Sequence, residues 1–505
     1  MHTRILAPTI AMLVSIFVAA MDVAIMSTVM PTVVGQLGGL PLYSWSFAAY
    51  LLTSTTTLPL YGKLADLYGR KPIFLLGMGL FVLGSFLAGA AASMEQLIVF
   101  RAVQGLGAGG TLPIAITIAG DLFPLEQRAK IQGVISSVWG VAAVLGPLIG
   151  SAIVAQTSWR WVFWINLPIG LLTAAVLAAT LHERVQRRPH QIDYLGAALL
   201  TAGITALLLA LVEGGQSGFY TPVVGGLLVV AALLLALFVE NERRAPEPMV
   251  PLSLLRQRLL GLTSLCGLVL GGCIYSASTY VPLFVQGVLG GSPREVAWAS
   301  ATISVAWTLG SLLGSRLLLR TGFRAAALLG MALISLGAGL LVRLTSASQL
   351  SEVLAAGALL GLGLGVSATA FIVVVQTAVG WDQRGIATAT HQFFRSIGGT
   401  IWVSVQGAAL SATTAAGLAA AGLQLPGGRA LQLGELSTVL EPASRALLQP
   451  HAARQLAEVL GAGLHQVFLL YLVLALAGLL GAGFLPAGRM AELAQSKEAA
   501  SLTDS

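Results

Sequence analysis

Charged residues are scarce in this chain of 505 residues: Asp, Glu, Lys and Arg together make up 9%, whereas 56% of the residues are hydrophobic. A soluble globular protein needs polar side chains to cover its surface, so this composition excludes that class. Apolar runs of about 18 or more residues with few charges are typical of membrane-spanning helices. The runs do not alternate between apolar and polar residues, which excludes a transmembrane β-barrel. The sequence therefore predicts an all-α integral membrane protein, because helices satisfy their own backbone groups in lipid.

Cysteine is also scarce, and the two that occur do not predict a disulfide. Cys266 and Cys273 lie seven residues apart in one apolar run, which on a helix separates them by roughly 10 Å along the axis. A disulfide joins Cα atoms that lie no more than about 7 Å apart. We therefore interpret both cysteines as apolar packing residues.

Catalytic and metal-binding patterns are missing from the apolar runs. No cluster of His, Cys, Asp and Glu occurs inside them, and no Walker lysine follows a glycine-rich run. The sequence therefore predicts neither an enzyme nor an ATP-driven pump, and it requires no metal or cofactor. Gly105, Gly107 and Gly110 do spell a dinucleotide-binding fingerprint, but they lie inside an apolar helix with no preceding strand, so close helix packing explains them better.

Fourteen apolar segments are long enough to cross a membrane. The two in the middle of the chain each have about 19–20 residues without an internal charge, which is enough to cross roughly 30 Å of hydrocarbon. A twelve-span alternative would require both of these to lie outside the membrane. The fourteen segments lie near 6–33, 44–64, 72–92, 96–120, 130–156, 161–181, 193–212, 222–240, 259–287, 296–317, 325–344, 350–378, 386–412 and 462–485.

The distribution of Lys and Arg predicts the orientation of these segments. With the N-terminus inside, 19 of the 27 basic residues fall in cytoplasmic segments and 6 in outer ones, while Arg101 and Arg395 lie within spans. Short cytoplasmic loops of membrane proteins carry such an excess of basic residues. The bias predicts that both termini are cytoplasmic, and it explains the net charge of +7 without a nucleic-acid partner.

A charged stretch, YGKLADLYGRKP at 61–72, interrupts the apolar pattern between the second and third segments. Glycines allow a close helix approach and a tight turn, and the aspartate can accept hydrogen bonds from a neighbouring helix N-terminus. The spacing resembles the signature loop of the major facilitator superfamily, which in that family latches the two halves together on the cytoplasmic side. A turn that merely follows the positive-inside rule is the alternative. The match is carried by Gly62, Leu64, Asp66, Gly69, Arg70 and Lys71.

The two halves of the chain resemble each other, as expected for a transporter built from repeats. SRLLLRTGFR at 315–324 aligns with GKLADLYGRK and keeps Gly322 for Gly69, but Leu319 replaces Asp66. EQRAKIQGVISS and DQRGIATATHQF, which begin at Glu126 and Asp382, each follow a cytoplasmic turn and begin a span. The ninth to fourteenth spans therefore repeat the first to sixth, and the seventh and eighth are an insert.

A glycine–proline motif in the fifth segment narrows the resemblance. LGPLIGS at 145–151 is similar to the fifth-helix motif of antiporters in the superfamily, carried here by Gly146, Pro147 and Gly150, with Ser151 in place of the last glycine. Small residues let another helix approach closely, and proline removes a helix hydrogen bond. The expected role is a helix contact that seals one face and limits leak. An ordinary proline kink is the alternative.

Other stretches resemble the fourteen-helix drug:proton antiporter family of this superfamily. LIVFRAVQGLGAGG looks like the fourth-helix motif, and MDVAIMSTVMP and WRWVFWINLPIG look like the first- and sixth-helix signatures. The resemblance covers nearly the whole chain and implies a transporter that exports cationic or amphiphilic drugs, although some relatives move lipids. LIVFRAVQGLGAGG lies at 97–110, MDVAIMSTVMP at 21–31 and WRWVFWINLPIG at 159–170. YVPLFVQGVLGGSP at 280–293 also fits the family.

Two charged residues deep in spans are the candidates for proton coupling. Asp22 lies about sixteen residues into the first segment, roughly 24 Å from its cytoplasmic end, and a carboxylate there can alternate between charged and neutral states. Arg101 stays protonated and can set the proton affinity of that carboxylate. The alternatives are a structural aspartate and a snorkelling arginine. Arg395 and His391 are weaker candidates, because each lies within three turns of a cytoplasmic loop.

The expected architecture is a major facilitator fold. It consists of a six-helix bundle at 1–190, a two-helix insert with a cytoplasmic linker at 191–256, and a second six-helix bundle at 257–505. The segment 413–461 is expected to be an outer loop, too interrupted by Pro, Gly and polar residues to span, with short helices near 437–449 and 450–460.

The resemblance implies a proton-coupled exporter of apolar or cationic amphiphilic compounds that works by alternating access. An exporter of lipids or glycolipids on the same scaffold is the alternative. The expected partners are a small amphiphilic or lipidic substrate, protons and the lipid bilayer, with the protein acting as a monomer. The expected location is the cell membrane, as a multi-pass protein of a bacterial inner or plasma membrane.

The predicted topology can be tested at the two ends of the seventh span. A cysteine introduced near Gly215 should react with a membrane-impermeant thiol reagent added from outside, and one near Arg187 only with reagent added from inside. Labelling of both positions from the same side would show that the prediction of the seventh and eighth spans is wrong.

Overall fold

The computed structural model describes residues 2–37, 43–183, 193–218, 220–246, 248, 252–421 and 450–487, and within these ranges it contains helices and no strand. The helices of the first half are α1 (His2–Leu37), α2 (Tyr43–Tyr68), α3 (Arg70–Gly89), α4 (Met94–Leu122), α5 (Leu125–Gln156), α6 (Arg160–Trp164) and α7 (Asn166–Thr180). Those of the middle are α8 (Tyr194–Ser217), α9 (Pro222–Arg244) and α10 (Leu252–Arg256). Those of the second half are α11 (Arg258–Gly287), α12 (Pro293–Thr321), α13 (Phe323–Val342), α14 (Leu350–Ala378), α15 (Arg384–Ala421) and α16 (Pro450–Gly483).

Many of these helices can cross a membrane. Within the described ranges, eleven are long and apolar enough to do so, and α6 and α7 together form one of the eleven. Three more helices, α2, α5 and α15, have 26, 32 and 38 residues but do not meet the same test of length and composition. The chain is therefore a multi-pass membrane protein with an all-helical fold.

Each half of the chain has its own buried core. In the first half, Phe74 and Phe81 of α3 pack with apolar residues of α1, α4 and α7. In the second half, Phe284 of α11 and Phe468 of α16 face each other with ring centroids 5.7 Å apart, and Phe371 of α14 belongs to the same cluster. Close packing of this kind holds membrane helices together, because lipid is as apolar as the side chains themselves.

Two seams join the halves, and they are related by the internal repeat. Helix α2 packs against α15, and α5 packs against α12. At the second seam the Ser311 hydroxyl donates to Ser136 Oγ at 3.0 Å, and a Cβ added to Gly133 would lie 2.8 Å from a methyl carbon of Leu312. Helix α2 thus packs against α15 as α5 packs against α12.

The turns before α3 and α13 have the same backbone geometry. Gly69 has φ 100° and ψ 154°, and Gly322 has φ 87° and ψ 171°. Positive φ of this kind favours glycine, because a Cβ would be strained there. The repeated glycine therefore reflects a repeated turn, although Leu319 stands where the first copy has Asp66.

Helices α8 and α9 form a pair that packs against the first seam. Asp193 caps the N-terminus of α8 by accepting from Gly196 N at 2.7 Å, and it also accepts from Asn241 of α9 at 2.5 Å. Leu200 and Ile204 of α8 belong to one apolar cluster with residues of α2 and α15. The pair is thus built on its own cap and lies beside α2 and α15 rather than within either buried core.

The predicted outer loop at 413–461 is wrong at both ends. Helix α15 continues to Ala421, and α16 already begins at Pro450, so the predicted helix near 450–460 is its first part. Thr413 donates to Gln466 Oε1 at 2.8 Å and holds the two extensions together. Hydropathy marks the end of the lipid-facing segment, whereas the Ala- and Leu-rich sequence continues the helix beyond it. The predicted helix near 437–449 lies outside the described residues.

The crossing of α11 and α15 gives a stability prediction. A Cβ at Gly271 would collide with the backbone oxygen of Arg395, and one at Gly398 would collide with that of Leu268. Gly271→Ala should therefore force the helices apart and destabilise the protein by about 1–3 kcal/mol, measured as a lower melting temperature in detergent. Gly79→Ala in α3 is the control, because no atom lies within 4 Å of its added Cβ. Equal melting temperatures for the two variants would contradict the close crossing.

Candidate functional site

The turn after α2 binds directly to the second half. The carboxylate of Asp66 accepts from Gly385 N at 3.0 Å and from Ile386 N at 2.7 Å, the first free amides of α15. Its side chain is only 4% exposed, and Arg70 Nη2 lies 2.9 Å from Oδ1. A negative charge on a helix N-terminus is favourable, because the free amides and the helix dipole both point to it. Asp66 thus attaches the end of α2 to the start of α15.

Glycines make this attachment sterically possible. A Cβ at Gly62 would collide with Ala389, and a Cβ at Gly385 would collide with the carboxylate of Asp66. The sequence motif therefore supplies an acid and the space in which its target helix can approach. Gly69 ends the segment with the positive φ that starts α3.

Arg70 is buried at the centre of the same contact. Its Nε donates to Asp121 Oδ2 at 3.1 Å, and its Nη2 donates to the backbone oxygen of Trp381 at 2.6 Å. The guanidinium carbon lies 4.0 Å from the centre of the Trp381 ring. With 1% exposure, Arg70 is a structural link between α3, α4 and the second half rather than a charge that faces lipid head groups.

Arg384 of the second half is the second arginine that joins the two halves. Arg384, at the start of α15, pairs with Asp121 at the end of α4, and its Nη1 also lies 3.3 Å from the backbone oxygen of Gly120. Gln376 of α14 donates to the backbone oxygen of Ile116 at 3.0 Å. Together with Asp66 and Arg70, these bonds join the two halves at this end of the molecule, and we call the group of Asp66, Arg70, Asp121, Trp381 and Arg384 the latch.

Lys71 has a smaller part in this region than the sequence motif suggests. Its backbone nitrogen and that of Arg70 donate to Glu183 at 3.1 and 3.0 Å, so Glu183 caps the N-terminus of α3. Sequence reasoning missed Glu183, Asp121, Trp381 and Arg384. The available signal was the position of each at the cytoplasmic end of a span, beside the motif or its echo.

Asp22 lies in a separate buried cluster within the first half. Its Oδ2 accepts from Arg101 Nη1 at 2.6 Å, and its Oδ1 accepts from Gln104 Nε2 at 2.9 Å and from Asn166 Nδ2 at 3.1 Å. The side chains of Asp22 and Arg101 are 0% and 1% exposed. Every one of these partners donates, so the geometry fits an ionised carboxylate.

Arg101 is held on several sides. It also donates to Gln104 Oε1 at 2.7 Å, and its guanidinium carbon lies 4.2 Å from the centre of the Tyr50 ring. Nε donates to the backbone oxygen of Ser46 at 3.5 Å. An arginine with these contacts does not reach the membrane surface, so the snorkelling alternative is wrong.

Ser85 connects the amides that hold Asp22. It accepts from Gln104 at 3.2 Å and from Asn166 at 3.0 Å, and it donates to the backbone oxygen of Phe163. Asn166 is the first residue of α7, directly after the break at Ile165 that divides the sixth span. Sequence reasoning missed these residues. Gln104 was detectable, because it lies three residues after Arg101 and therefore on the same helix face.

The glycine–proline motif of α5 packs against the helix that carries Asp22. A Cβ at Gly146 would lie 2.7 Å from the Cβ of Ala24, two residues beyond Asp22 on α1. Gly150 is buried, and Pro147 lies within the continuous helix α5. The motif therefore joins α1 and α5 within the first half.

Metal binding finds no support in the part of the chain that the structure describes. It contains no group of three or more His, Cys, Asp or Glu side chains placed to hold a metal ion. The two cysteines are buried and unpaired with each other.

Comparison with known proteins identifies similar chains. A family model described as Major Facilitator Superfamily matches residues 12–403. The multidrug transporter protein MdtP of Bacillus subtilis is 36% identical over 404 residues, which cover 79% of this chain and 74% of that protein. Multidrug resistance protein 3 of the same organism is 32% identical over 469 residues, which cover 92% of each chain.

Solved structures share the fold at low sequence identity. The human organic anion transporter MFSD10 superposes with a TM-score of 0.61 at 15% identity, covering 93% of this chain and 99% of that one. The proton:xylose symporter XylE superposes with a TM-score of 0.63 at 12% identity, covering 97% of each. These similarities concern the arrangement of helices alone.

The latch predicts the effect of removing one charge. Asp66→Asn loses the ion pair with Arg70 and presents an amide group to the free amides of α15, so the cytoplasmic ends of the halves should separate more often. Spin labels at the exposed positions Tyr68 and Gln383 should then report a shift towards longer distances, and transport should fall while the protein stays folded. Glu95→Gln, an exposed carboxylate at the opposite end of α4, is the control. An unchanged distance distribution with normal transport would rule the latch out.

Proposed function

The chain belongs to the major facilitator superfamily, and from that membership we propose that it is a proton-coupled secondary transporter that exports small amphiphilic compounds by alternating access. It is a transporter and not an enzyme. The observation that carries the proton coupling is the fully buried pair of Asp22 and Arg101 inside the first half. The names of the related multidrug transporters support export as the direction of transport.

Proton binding to Asp22 changes several contacts at once. The pair with Arg101 is neutral as a whole, and protonation would leave the guanidinium without its counter-ion in a low-dielectric site. It would also place a new hydroxyl donor among three groups that themselves donate. The cluster must therefore rearrange when a proton arrives, which is the property that a coupling site needs.

Helix α1 provides a route from this rearrangement to the rest of the first half. Asp22 and Ala24 lie within one turn of α1, and Ala24 is in contact with Gly146 of α5. Helix α5 in turn packs against α12 of the second half. We infer that protonation of Asp22 biases the packing of α1 on α5 and thereby the angle between the halves.

The latch supplies the alternating element of this proposal. It is closed in the described conformation, and with the cytoplasmic termini predicted from the loop charges it closes the inner side. Its contacts between the halves are hydrogen bonds from backbone amides of α15 to the Asp66 carboxylate, an ion pair of Arg384 with Asp121, and a hydrogen bond from Arg70 to a backbone oxygen. Such polar bonds can break and re-form during each transport cycle.

The proposed topology has fourteen spans and cytoplasmic termini. Three long helices, α2, α5 and α15, are not among the eleven clear candidates. Each of them belongs to one of the two seams, where polar residues face another helix. The proposed units are a six-helix bundle at 1–190, a two-helix insert at 191–256 and a second bundle at 257–505. We place the protein in a bacterial plasma membrane as a monomer.

The substrate class follows the amphiphilic character of the family's substrates. The sequence favours apolar or cationic compounds, and export of lipids or glycolipids on the same scaffold is the alternative. Proteoliposomes with an imposed pH gradient, tested with neutral, cationic and acidic fluorescent amphiphiles and a labelled phospholipid, distinguish these classes. Accumulation of the phospholipid alone would favour the alternative.

The coupling proposal predicts the behaviour of one variant. A driving force of 100 mV is worth about 2.3 kcal/mol per proton and supports roughly a 50-fold gradient. Asp22→Asn cannot load a proton, so it should lose this uphill accumulation while downhill exchange survives in part. The direct measurement is the proton movement that accompanies binding of a transported probe to the detergent-solubilised protein.

The control for this variant is Glu458→Gln, an exposed carboxylate of α16 that makes no ion pair within the described residues. It should behave as the parent does. If Asp22→Asn moved protons on binding as the parent does, Asp22 would be structural, and Glu95 or Glu295 at a span end would be the next candidate.

A further inference from the structure

Arg395 is a positive charge in the interior of a spanning helix. It lies eleven residues after Arg384, which belongs to the latch, so it is roughly 16 Å from the cytoplasmic end of α15 and near the middle of a bilayer. Its backbone is fixed, because Gly271 of α11 packs directly against its carbonyl oxygen. Depth and a fixed backbone make the snorkelling expected from the sequence an inadequate explanation for this residue.

No protein group neutralises Arg395 in the part of the chain that the structure describes. Neither a hydrogen bond nor an ion pair reaches its guanidinium, in contrast to Arg70, Arg101 and Arg384, each of which binds a carboxylate. The described carboxylates of the second half all lie near helix ends or in a turn: Glu295, Glu352, Asp382 and Glu458. An intramembrane charge without a partner indicates a functional site.

The neighbours of Arg395 place it between the two halves. Tyr275 of α11 lies close enough to interact with it electrostatically, and its ring packs on Gly399, one turn beyond Arg395. Tyr275 also interacts with Tyr50 of the first half, the ring that covers Arg101. Although it lies in mid-helix, Tyr275 is 37% exposed.

A second unsatisfied group lies on the same face of α15. His391, one turn before Arg395, is 1% exposed, and its Nδ1 has no hydrogen-bond partner. Its ring packs edge-on against Phe371. We call Arg395, Tyr275 and His391 the seam site. It combines a charge and a phenol, both donors, with an unsatisfied ring nitrogen, and it contains no acid.

We propose that the seam site binds the acidic group of the transported amphiphile, a carboxylate or a phosphate, with Arg395 as its counter-ion and the Tyr275 hydroxyl as a second donor. This inference rests on the proposed export of amphiphiles, and it replaces the apolar or cationic class that the sequence favours with an acidic one. Asp22 and Arg101 cancel each other, so Arg395 leaves the region between the halves with a net positive charge. A permanent cation is repelled there, whereas an acid supplies the partner that Arg395 does not find among the described residues of the protein.

Binding of three matched probes tests the proposal. The probes are 11-(dansylamino)undecanoate, its methyl ester and an analogue with a trimethylammonium head, titrated by fluorescence against the full chain in a neutral maltoside detergent. The parent should bind the carboxylate about tenfold or more tightly than the ester, as one charge-assisted bond requires, and the ammonium probe most weakly. Binding of the carboxylate no tighter than the ester, including no binding, would overturn the proposal.

Substitutions at Arg395 and Tyr275 test whether these two residues bind the acidic group. Arg395→Gln should remove the preference for the carboxylate and leave ester binding unchanged, while Arg395→Lys should keep most of the preference. Tyr275→Phe should weaken carboxylate binding several-fold. Arg343→Gln, an exposed arginine at the outer end of α13, is the control and should behave as the parent does. A preference that survives in Arg395→Gln would place the acid elsewhere and overturn the assignment.

Two further experiments are needed. A transport assay distinguishes failure of this inference from failure of the transport proposal, and a competition assay identifies the kind of acid that binds. Proteoliposomes that accumulate the ester and the ammonium probe under a pH gradient but not the carboxylate would keep the exporter and overturn the acidic substrate. Competition of the dansyl probe by laurate, but not by dioleoyl phosphatidate, would identify a single-chain acid, and the reverse would identify an anionic phospholipid; displacement by neither would count against the site.

Discussion

A charge inside hydrocarbon needs a partner, and this constraint organises the molecule. An unpaired charge at the centre of a spanning helix costs about 2.5–3.5 kcal/mol by insertion measurements. Asp22 pairs with Arg101 inside one half, and Asp66, at the end of α2, accepts hydrogen bonds from the free amides of α15 across the halves. Arg395 has no such arrangement among the described residues. In the proposed function the three charges have different roles: Asp22 binds the proton, Asp66 closes the gate and Arg395 binds the ligand.

The two buried acids differ in what their bonds join. Asp22 is surrounded by α1, α4 and α7, so a change in its protonation acts first within the first half. Asp66 and Arg384 join helices of opposite halves, so their bonds respond to the angle between the halves. The Tyr50 ring covers Arg101, and Tyr50 also interacts electrostatically with Tyr275 of the second half. Because the clusters are separate, substitutions can test the proposed proton site, gate and substrate site one at a time.

Sequence alone predicts the residues whose chemistry conflicts with their surroundings. Asp22 and Arg101 are conspicuous because they are charged in apolar runs, and Gly69 and Gly322 because a repeated turn requires them. The partners are not predictable in the same way. Gln104 and Asn166 are neutral, and their role depends on how three helices are rotated. The pair of Arg384 and Asp121 joins positions 263 residues apart, and the ends of α15 and α16 were misplaced because hydropathy records lipid contact, not helix length.

The two seams are related by symmetry but are not equally strong. The α2–α15 seam has the acid, whereas its counterpart has Leu319 in the equivalent turn, and α5 and α12 meet through a serine pair and a leucine on a glycine. If the halves separate at the α2–α15 seam, they rotate about the opposite edge. The α5–α12 edge, which lacks the acid, can act as the hinge of this rotation, because its small side chains can slide over each other. In the proposed cycle the halves would separate at the α2–α15 edge, beside the α8–α9 pair.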